Sequence, residues 1–196
     1  MTRLPFPTAD QLDEEQQAVW DAVTNGRRGD PSRFVGPNGG MIGPFNAAVV
    51  APRTGRAVVA LGEALRFDSR IDRRLLELAV CTVGAHWRSN FEWWAHRSLA
   101  EAAGVSDDVL DALQRGDEPS FAADDERAVH RLTRSLLTTG RVDPDTYTAA
   151  HAHLDDEGMV ELVQLVGYYS LVSFTLNTFE VELPPGNEPA WPYRWD

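Results

Sequence analysis

The sequence predicts an all-α protein, and three observations support this fold class. Apolar residues recur at helical spacing, for example at Val58, Leu61 and Leu65. Residues that favour helix ends flank such segments, with Gly104 after one periodic stretch and Ser106 before the next. No segment shows a convincing alternation of apolar and polar residues with a period of two. We therefore expect helices and no β-sheet.

The residues at the helix ends justify each predicted element. Thr8 or Asp10 can cap the first helix, Ser69 or Asp72 can start the third, and Pro144 suits the first turn of the seventh. In chain order, the predicted helices cover about 12–23, 53–67, 69 or 72 to 84 or 85, 90–103, a segment from 106, 124–139, a segment from 144, and 157–179.

Three segments are predicted to be irregular. The first ten residues form an extended arm with Pro5 and Pro7, and the last, about 183–196, is rich in Pro and Trp. Between the first two helices, residues from about 25 to 46 are rich in Gly and Pro. A loop of this length is often functional, although a solvated connector is an equal alternative. With no repeat and no clear linker, we interpret 1–196 as a single domain.

Charge and composition exclude several functions. The chain has 18 basic and 30 acidic residues and a formal net charge of -12, which disfavours nucleic acid and gives no reason to expect an anionic membrane as a partner. The uncharged stretch 162–179 contains several polar residues, so we predict a buried core helix there. Cys81 is the single cysteine, which excludes an intrachain disulfide. Because the first residues lack the apolar core of a signal peptide, we expect a cytoplasmic protein.

The segment HWRSNFEWWAH, residues 86–96, is the most informative part of the chain. Glu92 and His96 are four residues apart and therefore project from one face of a helix. A carboxylate and an imidazole beside Trp87 and Trp93 could move protons in a partly dry pocket. The alternative is an ion pair on the helix surface.

Two neighbouring positions extend this candidate site. Glu77 lies in the apolar run LLELAVCTV, where it is either the polar edge of an amphipathic helix or a carboxylate buried for a purpose. His86 precedes the motif helix and could lean over a pocket. Glu92, His96 and His86 are also possible metal ligands. However, the helices supply too few ligands for the usual bundle site, so we predict no metal.

The segment RIDRRLLELAVCTVGAHWRSNFEWWAHRSLAEAAGVSDDVLDAL resembles the signature of the carboxymuconolactone decarboxylase-like family, which has the alkylhydroperoxidase D-like fold. The resemblance extends to GPFN, ALGEALRF and ELVQLVGYYSLVSFTLNTFEVELP, so it covers most of the chain. It implies a helical bundle that forms a homo-oligomer, a trimer or a hexamer. In peroxidase members a CxxC pair precedes the histidine, and here Ser89 and Glu92 occupy those two positions. The resemblance also assigns His96 to the histidine and Glu77 to a proton-relay glutamate.

The resemblance, with the cysteines replaced, implies acid–base chemistry of the decarboxylase type and no thiol peroxidase activity. The expected substrate is a carboxylated lactone or a related small cyclic carbonyl compound, and no cofactor is required. His96 would carry the proton, Glu92 would orient it and Glu77 would relay protons. Substrate contacts are expected from a second set of residues: His86, Trp87, Asn90 and Trp93. An isomerase or lyase could use the same residues, and a non-catalytic binding or structural protein with this fold is the competing class.

Overall fold

The computed structural model describes residues 2–193, and this part of the chain contains nine α-helices and no β-strand. The prediction of an all-α protein is therefore confirmed. The helices are α1 (Glu14–Thr24), α2 (Pro44–Val50), α3 (Pro52–Phe67), α4 (Arg73–His86), α5 (Asn90–Ala103), α6 (Asp107–Arg115), α7 (Asp124–Thr139), α8 (Pro144–His151) and α9 (Asp156–Thr178). Two short 3-10 helices, Ala9–Gln11 and Pro31–Phe34, precede α1 and α2 respectively.

Most of the predicted helix ends lie at the capping residues. The carboxylate of Asp143 accepts hydrogen bonds from two backbone amides at the start of α8. Gly104, Gly116 and Gly140 follow α5, α6 and α7 in the left-handed conformation, with φ of +102°, +79° and +68°. Glycine adopts this conformation without the steric cost that a side chain brings. These residues set the helix lengths.

The Gly/Pro-rich segment is shorter than predicted. Its expected extent to residue 46 was wrong, because α2 begins at Pro44. Gly43 precedes it with φ +62°, and proline fits the first turn of a helix, where its missing amide hydrogen is not needed. The Asn46 side chain is buried and donates a hydrogen bond to the carbonyl of Pro5. The predicted loop therefore ends in a packed helix.

Contacts divide the chain into two compact units. The first comprises the residues up to Asp68 together with Thr175–Glu188, and its core is a cluster on α1, α2 and α3 that includes Val19, Val49 and Val59. The second comprises Ser69–Phe174 and the segment from Pro189. Its core joins α4, α5 and α6, and it holds the residues of the candidate site.

Helix α9 is buried on one side only. Leu162, Leu165 and Tyr169 lie in the interior, whereas Val163 and Leu171 are exposed. By length and composition alone, it is the one helix in residues 2–193 that could cross a membrane, and 44% of its most apolar stretch is buried in the protein. The prediction of a buried core helix therefore agrees with one face of α9 and not with the other. The cytoplasmic location remains a prediction.

Candidate functional site

The candidate site is built on the helical hairpin that α4 and α5 form. Residues 87–89 join the two helices, and Arg88 has φ +48°, a conformation that few residues other than glycine adopt. The amide of Ser89 donates to the carbonyl of Gly84 at 2.9 Å, which closes the turn. The start of α5 is thereby fixed beside the last turn of α4.

Gly84 allows these two helices to approach closely. A Cβ atom at this position would lie 3.5 Å from the Cβ of Glu92 and 3.7 Å from the backbone nitrogen of Trp93. A larger side chain would therefore displace the first turn of α5. The close approach places a carboxylate from each helix around one imidazole.

The structure brings Glu77, Glu92 and His96 together. His96 Nδ1 lies 2.7 Å from Oε2 of Glu77, which is a hydrogen bond. His96 Nε2 lies 3.6 Å from Oε2 of Glu92, which is an ionic distance but too long for a good hydrogen bond. All three side chains are buried, and Glu77 has no exposed surface. This group is the Glu77–His96–Glu92 cluster.

Two further residues, Arg73 and Tyr169, contact this cluster and were not predicted from the sequence. Nη2 of Arg73 lies 2.5 Å from Oε1 of Glu77, so a guanidinium compensates this buried carboxylate. The ring of Tyr169, on α9, meets the His96 ring edge to face, with centroids 5.1 Å apart. Arg73 could have been found, because it precedes Glu77 by four residues on one helix. Tyr169 had no comparable signal, since its position depends on how α9 packs.

The distances favour different roles for the two carboxylates. Glu77, which is paired with Arg73, can accept a hydrogen bond from Nδ1–H, and this contact would fix the tautomer and the orientation of the ring. Nε2 is then the nitrogen that can exchange a proton with Glu92 or with a bound molecule. The cluster can therefore store and transfer a proton.

His86 and Trp87 lie at the end of α4 and are half-buried. Their rings are 4.5 Å apart, and the Trp87 ring also contacts Phe174 of α9. Nε1 of Trp87 donates a hydrogen bond to Oγ of Ser170. Burial and the nearby Arg134 lower the pKa of His86. His86 is thus held mainly neutral at pH 7.

Asn90 and Trp93 are both in contact with the C-terminal segment of the chain. The amide of Asn90 donates to the carbonyl of Trp191 at 2.9 Å and accepts from its backbone nitrogen at 2.9 Å. The rings of Trp93 and Trp191 are 5.3 Å apart, and both belong to the core of the second unit. Trp191 therefore folds onto its own chain. Trp195 lies outside the described residues, and substrate binding by Asn90 and Trp93 remains a prediction.

Cys81, the single cysteine, and Ser89, which occupies the first cysteine position of the CxxC pair in the resemblance, are both buried. Burial and the charge of Glu77 raise the pKa of the Cys81 thiol well above its usual value, so this cysteine is held as an unreactive thiol in the core. The Ser89 hydroxyl is fully buried and has no hydrogen-bond partner among residues 2–193. An unpaired buried hydroxyl costs roughly 1–3 kcal/mol.

Within the described residues, no group of three or more His, Cys, Asp or Glu side chains has the arrangement of a metal site. A surface cavity of about 790 Å³ lies between α6 and the segment before α7 in the second unit, and its lining includes Arg74, Asp111 and Arg115. None of the predicted site residues lines it.

Comparison with known proteins shows the fold of this chain. No family model matches, and no curated protein matches. Among solved structures, the core of an alkylhydroperoxidase AhpD, an uncharacterised peroxidase-related protein from Ralstonia eutropha, is similar with a TM-score of 0.73 at 16% identity. This match covers 94% of this chain and 93% of that one. A protein of unknown function from Agrobacterium tumefaciens, described as a candidate antioxidant defence protein AhpD, is similar with a TM-score of 0.63 at 18% identity. That match covers 71% of this chain and 96% of the other. The chain therefore has the alkylhydroperoxidase D-like helical fold.

Proposed function

We propose that this protein is a cofactor-free acid–base enzyme of the carboxymuconolactone decarboxylase type. The observation that carries the proposal is the buried imidazole of His96 between two carboxylates, 2.7 Å from Glu77 and 3.6 Å from Glu92. Thiol peroxidation is not supported, because the sequence has one cysteine and Cys81 is buried. The proposed substrate is a carboxylated lactone or a related small cyclic carbonyl compound.

In the proposed reaction, the bond between a lactone carbon and its carboxylate breaks and CO2 leaves. The electron pair passes into a dienolate, and a proton from Nε2 of His96 adds to carbon. Glu77 holds the imidazole through Nδ1 and stabilises its charged form, as a carboxylate does for a catalytic histidine elsewhere. Glu92 then exchanges a proton with Nε2. This reverses the roles that the sequence suggested for the two carboxylates.

A further contact supports this proposal. The Tyr169 ring against His96 excludes water from one side of the imidazole, and electrostatic interactions are stronger in a dry site.

The test is a screen of carboxylated lactones with purified protein, following CO2 release and the change in ultraviolet absorbance. We expect His96→Ala and Glu92→Gln each to lower the rate by roughly 10²–10⁴-fold, the usual contribution of a positioned acid or base. The matched control is His153→Ala, since His153 is exposed. Circular dichroism establishes that each variant is folded. Near wild-type turnover by both folded site variants would show that the cluster does not perform the chemistry.

A non-catalytic binding or structural protein is the second candidate. The contacts of Trp191 with Asn90 and Trp93 favour it, because the chain's own tail then occupies side chains that a substrate would need. Under this alternative, no carboxylated lactone is turned over, and His96→Ala changes stability alone. The same screen, together with urea unfolding of His96→Ala, separates the two candidates.

A further inference from the structure

The exposed side of α9 carries an apolar stripe with internal symmetry. Its central residue is Gly167, and the next members lie four and seven residues away on each side: Val160, Val163, Leu171 and Phe174. Their exposed fractions are 57% and 48% for the two valines, 44% for Leu171 and 49% for Phe174. Residues at this spacing share one helix face. We call these five residues the α9 stripe.

We propose that the α9 stripe of one copy of this chain packs antiparallel against the α9 stripe of a second copy, with the two-fold axis at Gly167. This arrangement places Val163 opposite Leu171 of the partner subunit, and Val160 opposite Phe174 of the partner subunit. Each small side chain thus faces a larger one. A two-fold contact needs such a self-complementary surface.

Gly167 suits the crossing point of two helices. A Cβ atom added there would have no heavy atom within 4 Å, so the position opens onto space that a second backbone could enter. Small residues at a crossing allow two helices to approach closely. Gly167 also lowers the stability of an isolated helix by about 1 kcal/mol relative to alanine, a cost that a contact at this position would offset.

Charge selects the antiparallel direction. Helix α9 begins with Asp156 and Glu157. A parallel pair would bring these four carboxylates together at one end, where their repulsion would oppose association. An antiparallel pair separates them by the length of the helix and also opposes the two helix dipoles, which is favourable.

The apolar area fits an interface of ordinary size. The four larger side chains of the stripe expose roughly 350 Å² of apolar surface, against about 450 Å² of apolar area in a typical interface of about 800 Å² per partner. The stripe would therefore be the apolar centre of the contact. It also adjoins the candidate site, since Phe174 packs on Trp87 at 4.6 Å between ring centroids.

The first test is the mass of the purified protein by light scattering. We expect an even number of copies, a dimer or a hexamer, because a cyclic trimer contains no two-fold contact. Leu171→Glu should weaken the association at least about 100-fold, since it buries two unpaired charges. Leu61→Glu, at a leucine of equal exposure (44%) on α3, should leave the mass unchanged. Circular dichroism checks the fold of both variants.

The second test fixes the direction of the helices by disulfide crosslinking. An equimolar mixture of Val163→Cys and Leu171→Cys proteins should give a crosslinked dimer upon mild oxidation, and neither variant should do so alone. Cys81 is buried and does not compete. Crosslinking of Val163→Cys alone would indicate a parallel pair and overturn the proposal. A monomer at micromolar concentration, a trimer, or a monomer that floats with lipid vesicles would also overturn it.

Discussion

Two histidines of the second unit are almost fully buried, and their surroundings differ. His96 lies between two carboxylates, 2.7 Å from Glu77 and 3.6 Å from Glu92. His130, on α7, packs against the ring of Phe121, and burial together with the nearby Arg134 lowers its pKa to about 4. Glu118 lies 3.9 Å from Nδ1 but is mostly exposed, so it compensates little. One imidazole is suited to proton transfer, whereas the other is held neutral.

The low pKa of His130 predicts a loss of stability in mild acid. Above pH 6.5 the imidazole is neutral in both the folded and the unfolded chain, and its contribution is fully present. Between pH 6.5 and about 4 the unfolded chain binds the additional proton, so the free energy of unfolding falls as the pH falls. The total loss is at most about 3 kcal/mol.

Urea unfolding at several pH values measures this loss. His130→Phe should reduce the slope of stability against pH in this range, and the exposed His153→Ala serves as the control. An unchanged slope in His130→Phe would show that other groups cause the acid sensitivity.

The sequence indicated the cluster residues through spacing and resemblance, but it did not define how they act. Glu92 and His96 follow from an i, i+4 pair on one helix. Glu77 was ambiguous, because the pattern favoured the exposed edge of an amphipathic helix, whereas the resemblance favoured a buried relay glutamate. Tyr169 is separated from His96 by more than seventy residues, and no local rule relates them.

At the scale of helices, glycine positions determine which contacts are close. Gly55 of α3 faces the backbone of α2 so closely that an added Cβ would lie 2.1 Å from the carbonyl oxygen of Ala48. At Gly84 of α4 the nearest atom would be 3.5 Å away, which is an ordinary van der Waals contact. The two glycines therefore have different tolerance for a side chain.

Alanine substitution should distinguish these two helix contacts. Gly55→Ala should lower the free energy of unfolding by about 1–3 kcal/mol, because backbone atoms must move. Gly84→Ala should leave it unchanged or raise it by up to about 1 kcal/mol, because alanine has the higher helix propensity. Thermal unfolding of both variants measures the difference. Equal destabilisation by both substitutions would contradict this difference in packing between the two helix contacts.

The helices themselves were largely predictable, and the exception has a local cause. Capping residues and apolar periodicity located eight of the nine helices of residues 2–193. Helix α2 was missed because its seven residues follow a glycine- and proline-rich segment and are too few to show a period. Of the two helices that flank Ala51, α3 was therefore predicted, whereas the seven residues of α2 were assigned to the loop.

At the scale of the whole molecule, the chain passes between its two units three times, at residues 68, 174 and 188. The sequence did not indicate these crossings, because one of them lies inside α9 and the other two lie next to short turns. The interpretation of 1–196 as a single domain remains a prediction. Neither unit is a continuous segment, so a single cut would not release either one intact.

Trp191 should contribute strongly to the stability of the second unit. Trp191 is only 8% exposed, and its indole nitrogen donates a hydrogen bond to the carbonyl of Gln114. We expect Trp191→Ala to lower the free energy of unfolding by about 3–5 kcal/mol. Tyr193→Ala, an exposed aromatic residue of the same segment, should cost much less. Urea unfolding followed by circular dichroism measures both, and similar small losses would show that the tail is not part of the core.

The pairing of Asn90 with Trp191 also bears on how the protein emerges from the ribosome. The two residues are 101 positions apart, so at about 5–20 residues per second the tail is synthesised roughly 5–20 seconds after the helix that it holds. During this interval the Asn90 amide is hydrated and one side of the Trp93 ring is uncovered. The nascent chain thus displays an indole that the mature protein hides, and chaperones that recognise exposed aromatic surface have several seconds in which to bind it.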